Sequence, residues 1–195
     1  ELNGIANTRT PYPFFEPFEV NLDLIPDSVR QLKPTTEYAT NFTWEEDFEN
    51  VGITIQKTSN SDTAVERISS GSNLFQGNGS GHFSLTENQS IFEAITSDAF
   101  ELPTGGAFVF LEIHYRCTNT FSVGIFANAG GASVQHTPSL TVNPKDTWNK
   151  LYINLTNGVS AYPNAFDYNI YFYMSKDPGN TTADVYIDNI KLIRF

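Results

Sequence analysis

Residues 107–117 (AFVFLEIHYRC) alternate between two kinds of side chain along their whole length. Successive side chains of a β-strand point to opposite faces, so this run predicts a strand with one apolar face and one half-polar face. The apolar face carries Ala107, Val109, Leu111, Ile113, Tyr115 and Cys117, and the other face carries Phe108, Phe110, Glu112, His114 and Arg116. The first face is predicted to lie in a hydrophobic core.

Similar short runs recur along the chain, and Gly, Asn, Pro and Asp interrupt them. Helical periodicity is confined to a single short stretch near residues 27–32, where Asp27 is a candidate N-cap. Nine or ten strands of this kind fit two stacked antiparallel sheets, so the predicted class is an all-β sandwich. The other predicted strands lie near residues 18–24, 53–57, 82–85, 90–96, 121–128, 139–142, 151–156, 169–175 and 185–195, with a further short one at Phe100.

The chain divides into two unequal parts. Residues 1–40 contain five prolines and are predicted to form an extended N-terminal arm with one edge strand. Phe14, Phe15 and Phe18 are the predicted anchors of this arm. Residues 41–195 are predicted to form the sandwich.

Composition excludes several function classes. The 195 residues include 11 Lys plus Arg against 22 Asp plus Glu, a formal charge of −11, which disfavours nucleic acid and anionic membranes as partners. Sixteen Phe, nine Tyr and two Trp are far too many for a disordered acidic chain. No apolar run approaches the roughly 18 residues of a membrane span. The single cysteine, Cys117, excludes an internal disulfide framework.

Catalytic motifs are not apparent. His82, His114 and His136 fall in separate segments without metal-ligand spacing, and there is no G-x-S-x-G nucleophile motif. Cys117 is on the apolar side of its strand, which argues against a reactive thiol. We therefore predict a non-catalytic protein. A glycan hydrolase or lyase stays open, because acids such as Glu93, Asp98, Glu101 and Glu112 are numerous and their separation needs coordinates.

The last strand changes phase. Val185 and Ile187 are apolar at odd positions, whereas Ile190 and Leu192 are apolar at even positions. A β-bulge at Asp188 and Asn189 would explain the shift and would re-aim the Asp188 carboxylate.

Three segments carry a resemblance to a known family: residues 184–193 (DVYIDNIKLI), 46–49 (EDFE) and 146–155 (DTWNKLYINL). With the strand order between them, they resemble the galactose-binding-like jelly rolls that include many carbohydrate-binding modules of bacterial glycan-degrading systems. The resemblance covers about residues 44–195. It implies a jelly-roll β-sandwich in an exported bacterial protein, at a periplasmic or cell-surface location, with or without a lipid anchor.

The resemblance also implies a structural calcium ion held by Glu49 and Asp188. Carboxylate and carbonyl oxygens are the ligands that Ca²⁺ prefers. The alternative is that Asp188 only closes the bulge by accepting hydrogen bonds from local backbone N–H groups.

By the same resemblance, a glycan would bind one concave sheet face. Tyr171 and Tyr173 would stack on sugar rings, and Glu112, His114 and Arg116 would contact hydroxyl groups. Alternatively, Glu112 forms an ordinary ion pair with His114 or Arg116, and the tyrosines pack under a loop or the arm. The partner is then another surface protein, and the chain is a structural or interaction domain.

Overall fold

A computed structural model of the chain describes residues 19–21, 42–105, 107–129, 132–135 and 139–195, with backbone alone for 19–21 and 132–135. The described part is almost entirely β-structure, in two antiparallel sheets, as the alternating runs predict. None of the helices in the described ranges is long and apolar enough to cross a membrane.

The first sheet, sheet A, contains seven strands and is centred on its last one. That strand, β13 (Ala183–Arg194), pairs along its length with β7 (Val109–Cys117). β5 (Ser80–Leu85) pairs with the first half of β13 and β2 (Phe42–Glu46) with its second half. The strand order is β1-β11-β7-β13-β5-β4. The strands are β1 (Glu19–Asn21), β2 (Phe42–Glu46), β4 (Glu66–Ile68), β5 (Ser80–Leu85), β7 (Val109–Cys117), β11 (Lys145–Asn154) and β13 (Ala183–Arg194).

The second sheet, sheet B, contains six strands in the order β10-β8-β12-β6-β3, and β9 pairs with the second half of β8. One short helix, α1 (Thr156–Ala161), follows β11. The strands are β3 (Ile55–Lys57), β6 (Ile91–Thr96), β8 (Phe121–Ala129), β9 (Ala132–Gln135), β10 (Leu140–Val142) and β12 (Asp167–Ser175).

Aromatic side chains join the two sheets in the core. Phe83 of β5 stacks on Phe92 of β6, with ring centroids 3.9 Å apart, and meets Phe121 of β8 edge-on. Tyr115 of β7 also packs edge-on against Phe121, with ring centroids 5.8 Å apart. All four side chains are at most 1% exposed. The predicted apolar face of β7 lies in this core, and Cys117 is buried there with its thiol directed at the Asn143 carbonyl.

The bulge in the last strand is confirmed. Register with β7 shifts between Asp188 and Lys191, and Asn189 has a φ of 45°. Asparagine tolerates this left-handed conformation better than most residues. Asp188 thereby keeps an outward position while Ile190 returns to the core.

Several elements differ from their predicted limits. β11 begins at Lys145 rather than near 151, because an irregularity between Lys145 and Asn149 breaks the alternation that marks a strand. α1 was not predicted, because its sequence TNGVSA is short and contains one strong helix former, Ala161. The Tyr168 hydroxyl donates to the Val159 and Tyr162 carbonyls and holds the helix in place. The helix predicted near 27–32 and the three arm anchors fall outside the described residues.

Candidate functional site

The five predicted ligand residues lie on two different sheets. Tyr171 and Tyr173 are on β12 of sheet B, whereas Glu112, His114 and Arg116 are on β7 of sheet A. Both groups point away from the shared core, so they occupy opposite outer faces of the sandwich. The prediction that they line one face is therefore wrong. Alternation along a strand identifies a face, but it does not reveal which sheet the strand joins.

On sheet A, Glu112 and Arg116 are held by other side chains. The Lys150 ammonium lies 2.9 Å from Glu112 Oε1, and Tyr152 donates a hydrogen bond to the same carboxylate. Burial, and secondarily that hydrogen bond, raise the pKa of Tyr152. The Arg116 guanidinium binds Asp146 at 2.7 Å. Both residues therefore form ion pairs, but with Lys150 and Asp146. The expected pair of Glu112 with His114 or Arg116 is not the one observed.

His114 lies beneath an aromatic cover on the same face. Phe75, from the loop between β4 and β5, stacks on the imidazole with ring centroids 4.5 Å apart and also contacts Trp148 at 5.2 Å. Burial, and secondarily the nearby Lys150 charge, lower the pKa of His114 to about 4. His114 is therefore neutral at pH 7. Because the Phe75 ring covers it and it is only 8% exposed, it is poorly placed to form a hydrogen bond with a sugar hydroxyl.

Sheet B presents a different arrangement. Thr141, Ser122, Tyr173 and Glu93 stand directly opposite one another on four adjacent strands, β10, β8, β12 and β6. We call this set the Tyr173 row. The Ser122 and Thr141 hydroxyls are 3.2 Å apart, and the Tyr173 side chain is partly exposed between them and Glu93. Hydroxyls, an aromatic ring and a carboxylate are thereby aligned across the sheet.

Glu93 is held in place by three donors. Its carboxylate accepts hydrogen bonds from the Thr58 hydroxyl at 2.6 Å, the Asn60 amide at 3.3 Å and the Tyr171 hydroxyl at 3.0 Å. The Tyr171 and Tyr173 rings are nearly parallel, with centroids 6.3 Å apart. Because Tyr171 is only 3% exposed, its contribution in this structure is to orient Glu93 rather than to present a ring to solvent.

Sequence reasoning missed Glu93, Ser122 and Thr141 as site residues. Alternation does place each of them on the outer side of its strand, which was the available signal. Their alignment depends on the pairing of β10 with β8 and of β12 with both β8 and β6. The residues that donate hydrogen bonds to Glu93 lie 33 to 78 positions away from it in the sequence. No local pattern contains that register.

The predicted metal residues lie near each other beside the bulge. Asp188 is 1% exposed; its oxygens accept hydrogen bonds from the Ser80 hydroxyl at 2.9 Å and the Asn189 N–H at 2.7 Å. Burial, with a smaller contribution from the nearby Glu49 carboxylate, raises the pKa of Asp188 to about 7. Glu49 accepts hydrogen bonds from the backbone and side-chain N–H groups of Asn78. The local bonds foreseen as the alternative for Asp188 are therefore present.

The donor set has the chemistry of a hard-cation site but few side-chain ligands. A cation between Glu49 and Asp188 would offset the burial, and the smaller Glu49 repulsion, that raise the pKa of Asp188. Gly77 allows Glu49 to approach, because a Cβ there would lie 1.7 Å from Glu49 Oε1. No group of three or more His, Cys, Asp or Glu suited to a metal occurs in the described ranges, so backbone oxygens or water would supply the other ligands.

Comparison with solved structures identifies the architecture. A xylan-binding domain from CBM 22 superposes with a TM-score of 0.52 at 16% identity, covering 80% of this chain and 96% of that one. A family 11 carbohydrate-binding module from Clostridium thermocellum, solved with a β-1,3-1,4-mixed-linked tetrasaccharide, gives 0.52 at 14% identity and covers 76% and 95%. The chain has the jelly-roll β-sandwich fold of carbohydrate-binding modules.

The same jelly roll also occurs within an enzyme structure. The enzymatically active domain of bacteriophage CBA120 tailspike protein 4 matches with a TM-score of 0.53 and 16% identity; the match covers 76% of this chain and 20% of that one. No protein-family model and no curated protein sequence matches the chain. At these identities the likeness establishes the fold alone.

Proposed function

We propose that the jelly roll is a non-catalytic glycan-binding module whose ligand lies along the Tyr173 row. The observation that carries the proposal is the alignment of a partly exposed tyrosine with two hydroxyls and a fixed carboxylate across four strands. An aromatic ring packs against the apolar C–H surface of a sugar, and hydroxyl and carboxylate oxygens pair with its hydroxyl groups. The fold shared with the xylan-binding domain and the family 11 module supports the same reading.

Tyr173→Ala is expected to weaken glycan binding at least about tenfold, because the central aromatic residue of a small binding face usually contributes more than about 1.4 kcal/mol. Tyr186→Ala is the matched control. Tyr186 is also a partly exposed tyrosine, but it lies on the outer face of sheet A, stacked on His82. Calorimetry with the best ligand from a glycan array measures both variants. Equal losses in the two variants, or no loss in Tyr173→Ala, would contradict the proposed face.

The proposal includes export and the lack of catalysis. On the Tyr173 row, the one carboxylate is Glu93, and it is engaged by Thr58, Asn60 and Tyr171. A reducing-end assay on the bound polysaccharides is expected to show no product above the rate without protein. Cell fractionation is expected to recover the chain outside the cytoplasm.

A second candidate function is a structural or interaction domain, and the outer face of sheet A favours it. Glu112 and His114 are 8% exposed and Trp148 is 5% exposed although all three lie outside the core between the sheets. Low exposure alone does not separate the two outer faces, because Glu93 and Ser122 on the Tyr173 row are 9% and 8% exposed. The difference is that the Phe75 ring covers His114 on sheet A, whereas Tyr173 and Thr141 on sheet B stay partly or fully exposed. A glycan array on which the chain binds no glycan would favour this alternative.

We also propose that Glu49 and Asp188 hold a structural Ca²⁺ ion. When bound, the ion would neutralise two neighbouring carboxylates. The ion would then connect the segment that follows β2, through Glu49, to the bulge of β13, through Asp188. Ser80 and Asn78, which already bind these carboxylates, would orient them.

Removing calcium is therefore expected to lower the melting temperature of the chain by several degrees, since a ligand present at 100 times its Kd stabilises by about 2.7 kcal/mol. Differential scanning calorimetry in excess Ca²⁺ and in EGTA measures the difference. Glu49→Gln is expected to shrink this difference, whereas Glu66→Gln, an exposed position on β4, leaves it unchanged. Identical melting curves with Ca²⁺ and with EGTA would overturn the calcium proposal.

A further inference from the structure

We propose that the Tyr173 row selects uncharged glycans and excludes polyanionic ones such as polyuronates and sulfated polysaccharides. The inference rests on the proposed function and names the ligand class of that same site. It follows from how the two signs of charge are divided between the sheets.

Within the strands that the structure describes, the outward positions of sheet B carry charge of one sign. On the outward positions of β3, β6, β8, β10 and β12, the charged side chains are Glu93 and Asp167, and both are acidic. The strands of this sheet contain a single basic residue, Lys57. Lys57 pairs with Ala94, a core position, so it lies on the inward phase of its edge strand, where its charge acts on Asp62.

Lys176 directly follows β12, and its ammonium donates to the Thr86 and Glu87 carbonyls. Apart from Lys57 and Lys176, the basic residues of the described ranges lie on sheet A. Three of them form ion pairs. Lys150 lies 2.9 Å from Glu112, and Lys191 lies 3.3 Å from Glu45. Arg116 binds Asp146. The remaining members of this group within the sheet A strands are Arg67, Lys145 and Arg194. Arg67 donates to the Phe48 carbonyl at 2.5 Å and Arg194 to the Glu101 carbonyl at 3.3 Å. The outer face of sheet A therefore balances its acids locally.

This division has a direct consequence for binding. A uronate or sulfate group laid along the Tyr173 row would place an anion beside the Glu93 carboxylate on a chain of net charge −11. Like charges a few ångströms apart repel strongly where water is partly excluded, and juxtaposed like charges are a common means of rejecting wrong partners. Neutral hydroxyl groups meet no such penalty and can donate to the carboxylate.

Affinity gel electrophoresis tests the inference with matched polymers. Mixed-linkage β-glucan and β-1,4-galactan are compared with the same two polymers oxidised at C6, which converts the CH₂OH group to a carboxylate without changing the linkage. We expect at least one neutral polymer to retard the chain and its oxidised form to retard it at least about tenfold less. Raising NaCl from about 0.02 to about 0.5 M should reduce the difference in retardation between the neutral polymer and its oxidised form, because salt screens exposed charges.

A gain-of-binding variant separates local charge from total charge. Thr141→Lys places a cation at an exposed position of the Tyr173 row, whereas Glu66→Gln raises the net charge equally on β4 of sheet A. We expect Thr141→Lys to strengthen retardation by the oxidised polymer about fivefold and Glu66→Gln to change it little. Both variants replace exposed side chains, so their melting temperatures should match that of the unchanged chain.

The outcomes distinguish the two proposals. Equal or stronger retardation of the unchanged chain by an oxidised polymer overturns the selectivity inference and leaves glycan binding in place. Equal gains in Thr141→Lys and Glu66→Gln also overturn it, since total charge would then explain the result. No retardation by any polymer means that the proposed function fails for this face, and the inference fails with it.

Discussion

Phe83→Ala is expected to lower the free energy of unfolding by about 3 to 5 kcal/mol, the usual cost of deleting a buried phenylalanine ring. Phe83 joins the sheets through its stack with Phe92 at 3.9 Å and its edge contact with Phe121 at 6.3 Å. The loss would remove a large part of a typical total stability of about 5 to 15 kcal/mol. Urea unfolding followed by fluorescence and by circular dichroism measures it.

Phe166→Ala provides the control for this prediction, because Phe166 is 72% exposed and the same atoms are removed. Its cost should stay within about 0.5 kcal/mol. If Phe83→Ala and Phe166→Ala were equally stable, the aromatic contacts between the sheets would not be the main support of the core.

The second large effect is a pair of opposed pH dependences that single substitutions should reveal. His114 and Asp188 are directly opposite each other on β7 and β13, and both side chains are buried. Burial lowers the pKa of His114 from 6.5 to about 4 and raises the pKa of Asp188 from 3.8 to about 7. The two groups therefore titrate over nearly the same range with opposite consequences.

The signs follow from which state binds more protons. As the pH falls, His114 takes up a proton at a higher pH in the unfolded chain than in the folded chain. The contribution of neutral His114 to stability is therefore complete above pH 6.5 and is lost as the pH falls towards 4. Asp188 stays protonated to a higher pH in the folded chain than in the unfolded chain. Its contribution to stability is therefore lost as the pH rises from 3.8 towards 7. A shift of one pKa unit corresponds to 1.36 kcal/mol, so the effects are about 3 and about 4 kcal/mol.

In the unchanged chain these contributions nearly cancel. Relative to it, His114→Phe is expected to lose stability progressively from pH 4 to pH 7, while its ring keeps the stack on Phe75. Asp188→Asn should lose stability as the pH falls from 6.5 to 4 and can still accept the Ser80 hydrogen bond. Denaturant titrations at pH 4 to 8 in EGTA give the differences. Parallel stability profiles in all three proteins would contradict the assigned protonation states.

Local patterns predicted the fold and much of its detail. Alternation placed Val109, Leu111 and Ile113 in the core, and the phase change before Ile190 located the bulge, because both signals are contained in a few consecutive residues. β4 and β9 were not predicted, since three or four residues are too short to show a period.

The site could be predicted only in part, because it depends on pairing between distant strands. Alternation placed Tyr171 and Tyr173 on the outer side of β12 correctly. It could not show that Tyr171 is buried against Glu93, 78 residues earlier. Nor could it separate β12 from β7, whose outward residues have similar chemistry but belong to opposite sheets.

The position of β13 has a consequence for how the chain is made. It is the last described strand, yet β2, β5 and β7 all pair with it. During synthesis from the N-terminal end, these three strands have no central partner until residues 183–194 have left the ribosome. Folding of sheet A must then wait for contacts between residues far apart in sequence, which are slow to form. Until then, unpaired strand edges remain available to chaperones and to other nascent chains.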